Sequence, residues 1–488
     1  MLSFPRAVPV SRIATTILRT AVVIAIVLAV SPLRPYLSPS AWPKNSQTSK
    51  VHPRPGQLLT TVELGHIEDT ARRILDSPLK HPYKEEFGEL GRRAQQLRGW
   101  ISLANSSSSP GDRERLEQVI ESTAQSLFPF LQSPPGNPRS STPLADLVSS
   151  FHPRSRGIVI PTGSATLRFT FHSIASLREV LNSTLPIEIA YAGDQDLPPS
   201  DRWRLQSRFD NIRFLDVLAV FNDTTLDLKK GGWAIKPFAA LASSFEEVIV
   251  VDADAVFLQS PEILLEQRKY RSTGALLFHD RLLWKDLFKE RREWWRSQIS
   301  DPSDALSRSL VWTEGYAEEC DSGVVVVNKS RPEVLVGLLH VAWQNTREVR
   351  EEVTYTITYG DKESWWLGLE LAGSGYAFEA HYAAMIGWPS GSGEDGEAKL
   401  CSFVIGHLDE RERLLWYNGG LLKNKKVDGT LFGLPTHWMV DGTWLKGARR
   451  TQMSCMVGER SSELAEEEKE VIRRSIGLAR EMDTQFGF

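Results

Sequence analysis

From Gly157 onward the sequence alternates short β-branched runs with amphipathic stretches, and this limits the chain to an α/β fold with parallel strands and crossover helices. The runs are GIVIP, IEIAYAG, IRFLDV and EVIVVDAD, and the apolar spacing between them predicts helices over Leu167–Leu181 and Ala234–Ser243. Further strands are predicted at ALLFHD and GVVVVN. Open sheets of this kind bind ligands beyond the carboxyl ends of their strands, so the residues that close each run are the first candidates for chemistry.

Composition narrows the class. The chain has 488 residues, 41% hydrophobic and 24% charged, enough to bury one large core or two ordinary ones. Collagenous, disordered and multi-span membrane proteins are excluded. Lys plus Arg total 57 against 61 Asp plus Glu, a net charge of −4, so no broad basic surface argues for nucleic acid. Cys320, Cys401 and Cys455 lack the spacing of a zinc framework, and at most one disulfide fits.

Residues 13–33 are almost wholly apolar and close to one bilayer span. Arg6, Arg12 and Arg19 come before or within the start of this segment, with no acid among them, which predicts a type II anchor with residues 1–12 in the cytosol. A signal peptide cut near Ala29 or Ser31 is the competing reading. Residues 34–56 are Pro- and Ser-rich and read as a flexible linker, 57–150 as a helical stem, 151–460 as the α/β domain and 461–488 as a C-terminal helix. The segment SPPGNPRSSTP separates the stem from the domain, and Glu463–Glu470 reads as a solvated helix face. Entry into the secretory pathway makes Asn105, Asn182, Asn222 and Asn328 candidate glycosylation acceptors, with Asn328 close to a buried strand.

The sharpest chemical signal is VIVVDADAVFL, an apolar strand closed by Asp252 and Asp254. Two residues apart in a strand share a face, so both carboxylates are expected to point the same way, where a hard cation could be held by oxygen ligands. Asp194 and Asp196 in YAGDQDLPP repeat the spacing, but the prolines that follow favour a loop. Two chemistries use such a pair. In a haloacid-dehalogenase-type phosphatase the first Asp attacks phosphorus, yet that strand normally opens the domain, and here a long α/β stretch precedes it. In a nucleotide-sugar transferase the pair binds a divalent ion that stabilises the leaving diphosphate, and the preceding α/β half would bind the nucleotide.

Six segments, GIVIPTGSATLRFTFHSIASLR, LPIEIAYAGDQDL, GWAIKPFAALASSFEEVIVVDADAVFLQSPE, ECDSGVVVVNKS, TYGDKESWWLGLELAG and IGHLDERERLLWYNG, resemble in order the fungal Golgi α-mannosyltransferases of glycosyltransferase family 71. The resemblance covers roughly residues 157 to 425. It implies a GT-A fold with a Rossmann-like mixed sheet, a GDP-mannose donor, Mn2+ and a mannose-terminated acceptor on N- or O-linked glycans.

Carried over residue by residue, Asp252 and Asp254 would meet metal, ribose and diphosphate, and His407 would be a further metal ligand, although a lone His is commonly a structural hydrogen-bonder. Lys236 is a candidate phosphate contact or an ordinary surface lysine. Thr162, Gly163 and Ser164 would form a donor loop or a plain tight turn, and Asp194 would lie near base or ribose. Asp321, Ser322 and Gly323 are placed to contact the donor sugar. Asp361 and Glu363, at a helix start where the macrodipole alone favours acids, are the catalytic candidates. An α-linked donor giving an α-linked product retains configuration, so such an acid would stabilise an oxocarbenium-like sugar or position the acceptor, and a covalent route would need a nucleophile for which only Asp361 qualifies. Trp312, Tyr316, Trp365 and Trp366 are possible stacking faces for acceptor sugars. Cys320 reads as a buried thiol or half of a disulfide.

The expectation is a Golgi type II α-mannosyltransferase with a luminal catalytic domain, forming an α-1,3 or an α-1,2 linkage. A catalytically silent subunit of a transferase complex is the non-enzyme alternative.

Overall fold

The computed structural model describes residues 60–132, 140–393, 396–449 and 451–488. The expected anchor at 13–33, the linker at 34–56 and most of SPPGNPRSSTP lie outside the described residues. Among the described residues no helix is long and apolar enough to cross a membrane.

The α/β expectation is met. Strands β1 (His152–Pro161), β2 (Ile187–Tyr191), β3 (Ile212–Asp216) and β4 (Phe245–Val251) run parallel in the order β3–β2–β1–β4. A short excursion, β5 (Ala255–Phe257), leaves this sheet. β6 (Ala275–His279) and β7 (Cys320–Asn328) extend it, with β7 antiparallel to both β4 and β6, so the sheet is mixed. β8 (Ala377–Phe378) closes the edge beside β6.

Both faces of this sheet are covered. Val248, Val250, Val325 and Val327 point into one apolar core and Ile249, Val251, Val324 and Val326 into the other, which is why these strands read as unbroken apolar runs. Each fully buried Val or Ile contributes about 1.5–3 kcal/mol of burial, an upper figure for a chain that is already partly compact when unfolded.

The first core is shared with the helices of the predicted stem. α1 (Thr61–Asp76) starts with a Thr60/Glu63 capping box, α2 (Phe87–Ser106) is the longest of the three, and α3 (Pro110–Leu127) is capped by Ser109 with Pro at its first position. Phe87, Leu90, Ala94 and Leu97 of α2 bury in the same cluster as Val334, Leu338 and Trp366. Gln95 Nε2 also donates to Leu371 O at 2.8 Å. The helical region therefore forms part of the wall behind the sheet.

Two strand-crossover helices, α4 (Leu167–Ala175) and α5 (Ile235–Ala242), follow β1 and precede β4. α6 (Pro332–Gln344) and α7 (Lys362–Leu371) pack very closely. A Cβ on Gly368 would lie 2.6 Å from Val341 Cγ2 and 2.8 Å from Val341 N, so only glycine permits this approach.

A second sheet, which the alternation does not announce, is built from β9 (Ala384–Ser392), β10 (Ala398–Ser402), β11 (Ile405–Leu408), β12 (Leu414–Asn418) and shorter strands. β5 joins it by pairing antiparallel with β12. The chain thus crosses from the first sheet to the second between Val251 and Ala255. Cys401 and Cys455 form a disulfide across β10 and its neighbour Ser454–Gly458, and Cys320 is a free, buried thiol. α8 (Glu466–Phe486) returns to α4, where Asp483 accepts from Arg168 Nε at 2.8 Å and meets His172 Nε2 at 2.7 Å.

Candidate active site

The crossing between the two sheets is where Asp252 and Asp254 lie. They occupy a turn, with Ala255 N donating to Asp252 O at 2.9 Å, and so do not share a strand face as the spacing predicts. The physical reason is the change of sheet: the backbone must bend between β4 and β5. Asp252 is pinned by its own N–H, which donates to Gly323 O at 2.8 Å. The two carboxylates therefore take different partners.

Asp252 Oδ1 lies 3.0 Å from Lys236 Nζ, and the same ammonium lies 3.2 Å from Asp361 Oδ2. Lys236 also donates to Ser322 O and Ser322 Oγ, both at 2.9 Å. It is 3% exposed, which overturns the surface-lysine reading. Burial opposes its charge, but the Asp252 and Asp361 carboxylates outweigh burial and hold the ammonium above its ordinary range. Asp252 is pushed up by burial and by Asp361, with Lys236 opposing. Asp361 further accepts from Trp365 Nε1 at 2.8 Å. One buried cation thus joins the end of β4, the start of β7 and the start of α7.

Asp254 meets Lys425 instead, in a small pocket walled by Phe169, His172, Gly420 and Leu421. Burial brings the Lys425 ammonium down to about 8. His407 does not join the pair. Its Nε2 lies 3.0 Å from Asp321 Oδ2, and its ring stacks on Trp416 with centroids 4.2 Å apart. Among the described residues no group of three or more His, Cys, Asp or Glu is placed to hold a metal ion. Asp252 and Asp254, each ion-paired with a different lysine, are the carboxylates that would hold a hard cation here, and such an ion would have to displace those pairs.

Asp321 is fully buried, taking Asn418 Nδ2 at 2.9 Å and Gly323 N at 3.0 Å in addition to His407. Burial raises its carboxyl, but the His407 hydrogen bond and Lys362 bring it below its usual range. Gly323 is required here, since a Cβ would lie 2.7 Å from Asn418 Nδ2. Asp321 and Ser322 thus brace the centre from within.

Glu363 separates from Asp361. It accepts from Glu319 N at 3.0 Å, Cys320 N at 3.2 Å and Trp366 Nε1 at 2.6 Å, tying α7 to β7. Burial pushes its carboxyl up to about 8, opposed by Arg291 and the Trp366 N–H. With its oxygens turned to these donors it is a brace. Trp365 and Trp366 are buried in the core and offer no stacking face, because α7 turns both inward between α6 and the sheet. Trp312 and Tyr316 are half-buried, beneath Arg296 and Lys285 respectively.

The loop after β1 turns at Gly163–Thr166 and is tied to β2 and the loop that follows it. Thr162 N donates to Ala190 O, Gly163 N to Thr166 Oγ1 and Ser164 N to Asp196 O, the arrangement of a tight turn. Asp194 is exposed and paired with Arg202 at 2.7 Å, whereas Asp196 accepts from Ala192 N and packs under Gly163.

The sequence reading missed a second group. Asp280, fully buried, meets Lys362 and takes Arg281 N at 2.6 Å and Arg281 Nε at 3.0 Å. Burial raises its carboxyl, but Lys362 and Arg281 hold it well below the carboxylate range. Asp280 closes the apolar run ALLFH as Asp252 closes VIVV, so the same signal would have found it.

The family model described as "Mannosyltransferase putative" matches residues 155–409. Among relatives, the α-1,3-mannosyltransferase MNN1 of Saccharomyces cerevisiae is 28% identical over 323 residues, covering 54% of this chain and 40% of that protein. The α-1,3-mannosyltransferase MNT2 of the same yeast is 28% identical over 304 residues, covering 56% and 53%. The chain therefore spans about half or less of the length of these relatives. The mannosyltransferase Ktr4p from S. cerevisiae aligns in structure at 12% identity and a TM-score of 0.31, over 65% of this chain and 84% of that one. The Lys236 centre, Asp280 and His407 all fall within the matched region, which takes in just over half of the residues, and the chain belongs to this mannosyltransferase family.

Proposed function

We propose that this chain transfers mannose from GDP-mannose to a terminal mannose of a protein-linked glycan with retention of configuration, forming an α-1,3 linkage. The observation that carries the reading is the Lys236-bridged pair of Asp252 and Asp361 at the carboxyl end of β4, inside the region matched by the family. The choice of α-1,3 over α-1,2 follows the names of the relatives. A divalent ion such as Mn2+, held by Asp252 and Asp254, would stabilise negative charge on the departing diphosphate.

The chain's own residues do the rest. Lys236 fixes Asp252 and Asp361 in register without a mobile counter-ion, an arrangement already set before substrate arrives. Asp361, buried and engaged by Lys236 and Trp365 Nε1, acts as a positioning residue that holds Lys236 against Asp252. Lys425, next to Asp254 and partly exposed, supplies a cation to the diphosphate. Location in the Golgi lumen, as a type II protein, is part of the same proposal, and the Cys401–Cys455 disulfide supports an oxidising compartment.

The test is transfer by the purified full chain from GDP-mannose to α-mannobiose, with manganese or with chelator, beside Asp252→Asn. Manganese-dependent product, its linkage read by NMR, that the folded variant fails to make supports the reading. Absence of both transfer and GDP-mannose hydrolysis by folded protein overturns it in favour of a silent partner subunit.

A further inference from the structure

A cleft of about 570 Å³ lies beside Asp280, lined by Arg281, Trp284, Phe403, Lys446, Arg449 and Gln452 among others. Its size suits a mono- or disaccharide. Arg281 reaches it while its Nε holds Asp280, which in turn meets Lys362, the neighbour of Asp361. The cleft is therefore joined to the Lys236 centre through two consecutive residues of one helix start.

Its charge is unusual. Among the described residues neither Lys446 nor Arg449 forms an ion pair, although the chain as a whole carries more acids than bases. Asp280 and Glu318 act on Lys446 and Arg281 from the protein side, but among the described residues no carboxylate lines the cleft, so its open face is cationic. Trp284 adds a second, independent feature. It has φ +51°, a backbone conformation uncommon for a bulky residue, and as a residue it is 44% exposed while lining the cleft. Local strain of this kind persists where the surroundings enforce it, typically at ligand sites. A flat exposed indole beside converging cations suits a sugar ring that carries a negative group.

We propose that this cleft binds a phosphate-bearing sugar of the acceptor glycan, with Arg281, Lys446 and Arg449 on the phosphate and Trp284 against the ring, so that phosphorylated mannose glycans are the preferred acceptors. This rests on the mannosyl-transfer reading. The phosphate could instead be that of the donor, and the experiment separates the two sources.

The full chain and its Lys446→Ala/Arg449→Ala variant are compared on α-mannobiose and α-mannobiose 6-phosphate at a fixed low salt concentration. Lys446 and Arg449 are exposed, so the variant leaves the core intact. The expected result is at least a tenfold preference of the wild type in kcat/KM for the phosphorylated acceptor, falling to near unity in the variant and on raising salt. No preference in the wild type, or a raised KM for GDP-mannose with the acceptor ratio unchanged, overturns the proposal. Calorimetric titration with mannose 6-phosphate, glucuronic acid and mannose is independent of turnover. Saturable binding of mannose 6-phosphate, weakened at least tenfold in the variant, with no transfer to either acceptor, refutes mannosyl transfer and leaves the sugar-phosphate site standing. Equal binding of all three sugars, or none, refutes the site.

Discussion

Replacing Lys236 with Met removes the one cation shared by Asp252 and Asp361 while keeping a side chain of similar length. Breaking a single buried ion pair by deleting one partner costs about 3–5 kcal/mol. Asp361 is 1% exposed and supplies most of that loss, whereas the Asp252 side chain is 24% exposed, so water screens its share. Against a typical domain stability of about 5–15 kcal/mol this is a large fraction. The pH dependence has a definite sign. Lys236 itself, held above its ordinary range, keeps its stabilising effect at all pH values below the unfolded lysine value of about 10.4, so it gives no slope between pH 5 and 8. Asp252 is already raised by burial and Asp361, and without Lys236 it rises further. A carboxyl raised in the folded state binds extra protons there, so the variant loses stability as pH climbs through the interval above about 4. Urea denaturation of both proteins at pH 5 and pH 8 measures this. The deficit of Lys236→Met should be larger at pH 8. A variant within 1 kcal/mol of wild type at pH 8, or one with the same deficit at both pH values, would refute the bridging role.

Glu363→Gln should lower stability by about 1–3 kcal/mol, since the new amide must turn N–H groups toward donors that Glu363 now accepts, while kcat stays near wild type in the transfer assay. The stability difference between wild type and the Gln variant should shift in favour of wild type as pH falls from 9 through about 8, because burial raises the Glu363 carboxyl, whereas the lowered Lys425 acts equally on both proteins. Removing both Cys401 and Cys455, 54 residues apart, should cost at most about 4 kcal/mol by loop closure, read as a lower melting temperature matched by wild type in reductant. Asp483→Asn, which weakens the contacts to Arg168 and His172, should expose α8 to proteolysis before the rest of the chain.

The parallel half and the Asp252 turn are legible in the sequence because both depend on local pattern: β-branched runs for strands buried on both faces, then an acid closing the run. What links them is not local. Lys236 meets Asp361 across 125 positions, and nothing near either residue advertises the other. Trp365 and Trp366 mislead for a related reason. A tryptophan beside an acid looks like a sugar platform in one dimension, whereas α7 turns both indoles into the core and uses their N–H groups to hold Asp361 and Glu363. The second sheet escapes because its strands are short and interrupted by glycine and proline, as in MIGWPSGS, so neither period accumulates.

Asp361 and Lys362 are consecutive, yet one is bound to Lys236 and the other to Asp280. The start of α7 is therefore held by two ion pairs of opposite sense. Displacing it would disturb both contacts at once, and α7 is held in place by close approaches to α6 at Gly368 against Val341 and at Gly337 against Leu369. The Lys236 centre and Asp280 thus share one backbone segment as their common anchor, so a single substitution there loosens both.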